Sequence, residues 1–183
     1  MRKTKFNVYS LAFIGVMAAI IYVVTLFRFP FLGSKVHFAN AMCLLGGMFF
    51  GPLYGGLAAG IGSFLYDLTL YNEGIVNLLI TFVSKFAMAW VCGRIVWHKG
   101  ERDEDLIRSV IAAVAGALTY VFLYALKTYI FQAYVYGFPM ETVWATVTSK
   151  VIPSLINALA AVIAAPILFK AMMPALRQVL NKA

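Results

Sequence analysis

The sequence predicts an all-α integral membrane protein of six transmembrane helices with N- and C-termini cytoplasmic, and three observations carry that expectation. Hydrophobic residues make up 63% of the 183 positions and mean hydropathy is +0.87, more apolar surface than one soluble core of this size buries. The apolar residues fall into runs near the ~20 residues that cross a ~30 Å hydrocarbon core. Only 12% of residues are charged, and they gather at the ends of the runs. Residues 1–183 read as a single membrane domain.

The first span is 8–29, closed by Arg28 and Pro30. It exceeds the ~7–15 apolar residues of a cleavable signal and no small-residue cleavage site follows, so it reads as a retained helix. A short second span, 38–50, meets Gly51-Pro52, where proline cannot continue the hydrogen-bond ladder, and a third span, 52–70, begins. The fourth, 75–97, ends at the one strongly charged segment, His98-Lys-Gly-Glu-Arg-Asp-Glu-Asp105, an aqueous loop. Spans 106–131 and 143–173 follow, joined by a loop through Gly137-Phe-Pro139. Pro153 and Pro166 each remove a backbone donor from the last span, which is expected to bend or end early.

Lys and Arg counted near span ends set the orientation. With the N-terminus inside, ten of the fifteen (Arg2, Lys3, Lys5, Arg94, Lys99, Arg102, Arg108, Lys170, Arg177 and Lys182) lie on the inner side. Loops near 30–40, 71–74 and 131–142 then face outward. The net charge of +8 therefore reflects topology and implies no nucleic-acid partner. Cys43 and Cys92 lack CxxC spacing or a neighbouring His and read as small buried hydrophobes, so no metal or cofactor is expected.

Small residues stripe two helices. Ala12, Gly15 and Ala19 share a face of the first span, and Gly55/Ala59, Gly56/Gly60 and Ala58/Gly62 recur in the third. Such stripes let backbones approach in lipid, either inside the bundle or, on the first span, against a partner subunit.

Ionisable groups at membrane depth are costly unless they pair or face a cavity. Asp67, Lys85, Lys127 and Lys150 qualify, with uncharged Asn40, Tyr66, Asn77, Tyr120, Tyr124, Gln132 and Asn157. Nearly all fall in the outer half, which describes an outward-open cup better than a through-going pore. Competing readings are an ion pair of Asp67 with Lys85 or Lys127, snorkelling of Lys150 to the interface, and an aromatic belt of Tyr71, Tyr129, Tyr134 and Tyr136. His37 lies in an outward loop, suited to gating. Asp67 has no second carboxylate at its depth, no His faces a nucleophile and no phosphate-binding glycine loop occurs, so enzyme chemistry is not expected.

The stretch Lys35-Val-His-Phe-Ala-Asn40, the run Leu44-Leu-Gly-Gly-Met-Phe-Phe-Gly-Pro-Leu-Tyr-Gly-Gly-Leu-Ala-Ala-Gly-Ile-Gly-Ser63 and Tyr66-Asp67 resemble a known family. It is that of the substrate-binding (S) components of energy-coupling factor (ECF) vitamin transporters, of riboflavin, pyridoxine or hydroxymethylpyrimidine type. The resemblance covers nearly the whole chain. It implies a subunit of the prokaryotic plasma membrane that joins a transmembrane coupling protein and two cytoplasmic ATPases. It also implies docking through a small-residue motif on helix one, matched in kind by Ala12, Gly15 and Ala19, with Gly15/Ala19 in place of an alanine pair. The implied pocket lies in the outer half under the loop after helix one, and the whole subunit topples during transport.

On that reading Asn40, Tyr66, Asp67, Asn77, Lys85, Tyr124, Lys127, Lys150 and Asn157 bind substrate, and Lys35 and His37 gate it. The expected substrate is a small vitamin or precursor, pyridoxine- or hydroxymethylpyrimidine-like first and riboflavin second. A self-sufficient ion-coupled carrier or channel is the alternative, against which the lack of inverted repeats speaks. A ligand-free structural subunit is a third.

Overall fold

The computed structural model describes residues 8–31, 34–70, 74–98 and 101–180. In chain order these form α1 (Val8–Leu26), a hairpin of β1 (Arg28–Phe31) and β2 (Ser34–His37), α2 (Ala39–Leu70) and α3 (Ile75–Val96). There follow a small hairpin of β3 (Trp97–His98) and β4 (Glu101–Arg102), α4 (Leu106–Ile130), a π-helical turn at Phe131–Val135, and α5 (Met140–Leu180). Five helices are long and apolar enough to cross a membrane. The six runs of the sequence thus become five helices, because 38–50 and 52–70 lie together in the 32-residue α2.

That helix is interrupted. Gly51 has φ 80 and ψ −178, outside helical geometry, and a side chain there would be strained. Pro52 opens the next limb, where its missing N–H removes no needed bond. A Cβ on Gly55 would lie 2.5 Å from the Gly46 carbonyl oxygen. Nine residues of straight helix would hold those positions ~13 Å apart, so the two limbs fold against each other at Gly51. The break strands carbonyls at the end of the first limb. One of them, Met48 O, accepts from the Trp97 indole N–H at 2.9 Å.

Glycine sets the spacing of the core. A Cβ on Gly93 of α3 would lie 2.7 Å from Pro52 N, and one on Gly62 would lie 2.5 Å from Ala18 O of α1. Gly56 and Gly60 receive the rings of Phe86 and Phe82, which stack with centroids 6.2 Å apart. The glycines of α2 therefore serve internal packing. Ala12, Gly15 and Ala19 of α1 are exposed instead, and a Cβ on Gly15 would meet nothing within 4 Å. Small residues thus pack inside the bundle on α2 and lie on an exposed face of α1.

Two expectations need correction. The last helix does not end early: α5 runs 41 residues through Pro153, Pro166 and Pro174. Pro153 and Pro166 are fully buried, so packing holds the helix across the donors they lack. The segment after α1 is a hairpin in the register Arg28↔His37, Phe29↔Val36, Pro30↔Lys35, Phe31↔Ser34. Cys43 and Cys92 are buried free thiols, the second donating weakly to Leu44 O.

The 97–108 segment ties α3 to α4. Arg108 donates from Nε to Ile95 O and from its guanidinium to Asp103 Oδ2, both at 2.8 Å, and Asp103 N–H bonds Val96 O at 2.9 Å. Asp105 caps α4 by accepting from Arg108 N–H at 3.4 Å. The Asp105 backbone N–H, and after it Arg108, hold the Asp103 carboxyl below its usual range. The folded-state value is the lower one, so this stabilisation is present at neutral pH and is lost as pH falls through it.

Gly93→Val should overpack the α2–α3 contact and cost about 1–3 kcal/mol, read as a lower Tm of the purified protein in detergent. Gly15→Ala, with open space around it, should leave Tm unchanged.

Candidate ligand-binding site

Polar side chains on all five helices converge on one cavity of about 380 Å³, within the ~300–1,000 Å³ of small-molecule sites. Helical periodicity brings them there. On α4, Tyr120, Tyr124, Lys127 and Thr128 recur at three- and four-residue spacing and form one face of the wall. Phe131, Gln132 and Tyr136 extend that wall through and past the π-helical turn. From α5 come Lys150, Ser154 and Asn157, again one face. Asn77, Thr81, Ser84 and Lys85 line it from α3, and Ser63, Tyr66 and Asp67 from the second limb of α2.

Lys85 is buried in the wall of the site, 5% exposed. Its ammonium donates to Asn40 Oδ1 and sits 3.7 Å from the centroid of the Tyr120 ring. A carboxamide and a π face are what a buried ammonium can use without a counter-ion. Tyr120 stacks in turn on Tyr124, centroids 5.9 Å apart and planes 18° from parallel.

The β1–β2 hairpin is pinned to the same walls. His37 N–H donates to Asn157 Oδ1 at 2.8 Å. At the other strand Arg28 donates to the Tyr66 hydroxyl, with its guanidinium carbon 5.6 Å from the ring centroid. The hairpin thus joins α2 and α5, and His37 lines the cavity.

Of the residues expected to bind substrate, Tyr66, Asp67, Asn77, Lys85, Tyr124, Lys127, Lys150 and Asn157 all line this cavity. Asn40 does not: it lies behind Lys85 and holds it, a buried partner 1% exposed. The Lys35 side chain lies outside the described residues, as does Tyr71. Asp67 lines the same cavity as Lys85 and Lys127. Lys150 is partly buried at the cavity wall. Tyr136, expected in an interfacial belt, lines the cavity, whereas Tyr129 packs against Tyr134 and Trp144 away from it.

The sequence reading passed over Thr25, Ser63, Thr81, Ser84, Thr128 and Ser154, all of which line the cavity. Hydroxyls leave little trace in hydropathy because they can bond a carbonyl one turn back, as Thr25 does to Ile21 O and Thr128 to Tyr124 O. For Ser63, Thr81, Thr128 and Ser154 the signal that could have found them is their spacing, one turn from a charged or aromatic wall residue.

An apolar helical bundle around a polar, aromatic-lined cavity defines a membrane protein that binds a small molecule. The family model of the ECF-type riboflavin transporter, S component, matches residues 5–174, and the chain belongs to that family. Comparison with curated proteins returns no match. Members of the family are substrate-binding proteins of vitamin transport, not enzymes, and work in the cell membrane with a membrane T component and ATPases.

Asn40→Leu should leave the Lys85 ammonium short of a hydrogen bond and destabilise the protein by about 1.5–3 kcal/mol, read by denaturant titration in micelles. Asn40→Leu combined with Lys85→Met should recover most of that loss.

Proposed function

We propose that this chain captures a flavin-type vitamin at the cavity and passes it inward as the S component of an ATP-driven importer. The observation that carries the reading is the cavity itself: stacked Tyr120 and Tyr124 beside Lys85, Asn77, Asn157 and several hydroxyls. Flat rings offer faces to such aromatics, while carbonyl, ring-nitrogen and hydroxyl groups suit the amide, ammonium and hydroxyl donors. The sequence alone ranked a single-ring pyridoxine- or hydroxymethylpyrimidine-like ligand first. Membership in the riboflavin-type family reverses that order.

In this reading α2 crosses the bilayer as two limbs, giving six passes, both termini are cytoplasmic, and the β1–β2 hairpin faces outward as a gate held by His37–Asn157. Lys35 belongs to the same gate. The exposed face of Ala12, Gly15 and Ala19 is where the transmembrane coupling protein docks, and two cytoplasmic ATPases supply the energy. Open space at Gly15 supports that assignment. The sequence carries no phosphate-binding glycine loop of the kind that holds ATP, which supports an energy source in other subunits.

Purified protein in lipid nanodiscs should quench flavin fluorescence on titration with riboflavin, with sub-micromolar affinity. Asn157→Ala, which releases the hairpin, should raise the dissociation rate severalfold. Vesicles holding this chain alone should not accumulate the vitamin, and those holding it with the coupling protein and ATPases should do so only with ATP inside. Accumulation by the chain alone would favour a self-sufficient carrier. Absence of binding across riboflavin, pyridoxine and hydroxymethylpyrimidine would contradict vitamin capture.

A further inference from the structure

The charges around the cavity do not balance. Three lysines, Lys85, Lys127 and Lys150, line it against one carboxylate, Asp67, among the described residues. Lys85 and Lys150 alone already outnumber Asp67. Lys85 is held by a neutral amide and a ring, so its charge is solvated locally and not neutralised. An excess of positive charge inside a lipid-embedded bundle is unfavourable, and an anion entering the cavity is attracted by the ammoniums that line it.

A second observation is independent of charge. Ser154 lines the same cavity and is 4% exposed, yet its Oγ has no hydrogen-bond partner among the described residues. Buried hydroxyls are normally satisfied, and many helical serines bond a carbonyl one turn back. Ser154 lies one turn after Lys150 on the face of α5 that forms the wall. A donor hydroxyl left open one helical turn from an ammonium is suited to an oxyanion, which takes a charge-assisted bond from each. A neutral carbonyl would use the hydroxyl and leave the ammonium's charge as it was.

We infer that the natural ligand carries an acidic group, a phosphate or a carboxylate, received by Lys150 and Ser154. This rests on the cavity being the vitamin site, and it narrows the ligand from neutral heteroaromatics to their acidic forms. The ring system still meets Tyr120 and Tyr124, and Lys127 adds to the field that draws the anion in.

Matched pairs differing only in the acid test it: riboflavin against riboflavin 5′-phosphate, pyridoxal against pyridoxal 5′-phosphate, and nicotinamide against nicotinate. Each is titrated against the full-length protein in nanodiscs by calorimetry. Within whichever pair binds, the acidic member should bind at least about ten-fold tighter, the scale of one charge-assisted bond. The phosphate and carboxylate arms identify the acid. Lys150→Met should abolish the preference, and Lys150→Arg should restore it. A neutral member that binds as well as its acidic partner, or a preference that survives Lys150→Met, overturns the inference and leaves vitamin capture standing. Failure of every pair to bind overturns both.

Discussion

The buried ammonium of Lys85 is the constraint around which the rest of the bundle is arranged. A cation at membrane depth is tolerated only where the protein or enclosed water solvates it. Here α2 supplies the Asn40 carboxamide, α4 supplies the Tyr120 ring, and Lys85 itself comes from α3. Three helices must therefore keep their relative registers, or the ammonium loses its partners. Asn40 sits at the start of the first limb of α2, so the limb's position is fixed by the same contact.

Glycine makes that convergence possible. Backbone meets backbone where Gly93 faces Pro52, where Gly62 faces Ala18 and where Gly116 faces Met88 O, so the contacts between helices are short and dry there. Elsewhere aromatic and long polar side chains hold the helices apart and leave the cavity. The folded-back α2 is central: its first limb packs on α3 through Gly47, and its second carries Ser63, Tyr66 and Asp67 into the cavity wall. A straight 32-residue helix would be ~48 Å long and could not place both Asn40 and Asp67 beside the same lysine-bearing helix. The turn at Gly51 is thus the backbone counterpart of the Lys85 contact.

Much of this was legible in the sequence because lipid imposes simple rules. Apolar run length marked the helices, Gly51-Pro52 marked the interruption, and the rarity of charge at depth drew attention to Asp67, Lys85, Lys127 and Lys150, all of which reach the cavity. The failures are equally physical. The pairing of Asn40 with Lys85 is not foreseeable, because polarity at depth does not say what a group bonds. Pro153 and Pro166 read as a bend or an early end because propensity is local, and with both buried the helix continues past them. The 28–37 segment reads as a loop because four-residue strands around Pro30 carry too little alternation to stand out. Ser154 passes unseen because a single hydroxyl barely alters hydropathy.

The account's central claim is that a small heteroaromatic molecule occupies the cavity around Lys85. Mass spectrometry of what co-purifies with the protein, before and after Lys85→Met, addresses it most directly. The account predicts a stoichiometric vitamin or vitamin derivative in the parent protein and its loss in the variant. A parent protein carrying only lipid, or equal occupancy in the two, would contradict it.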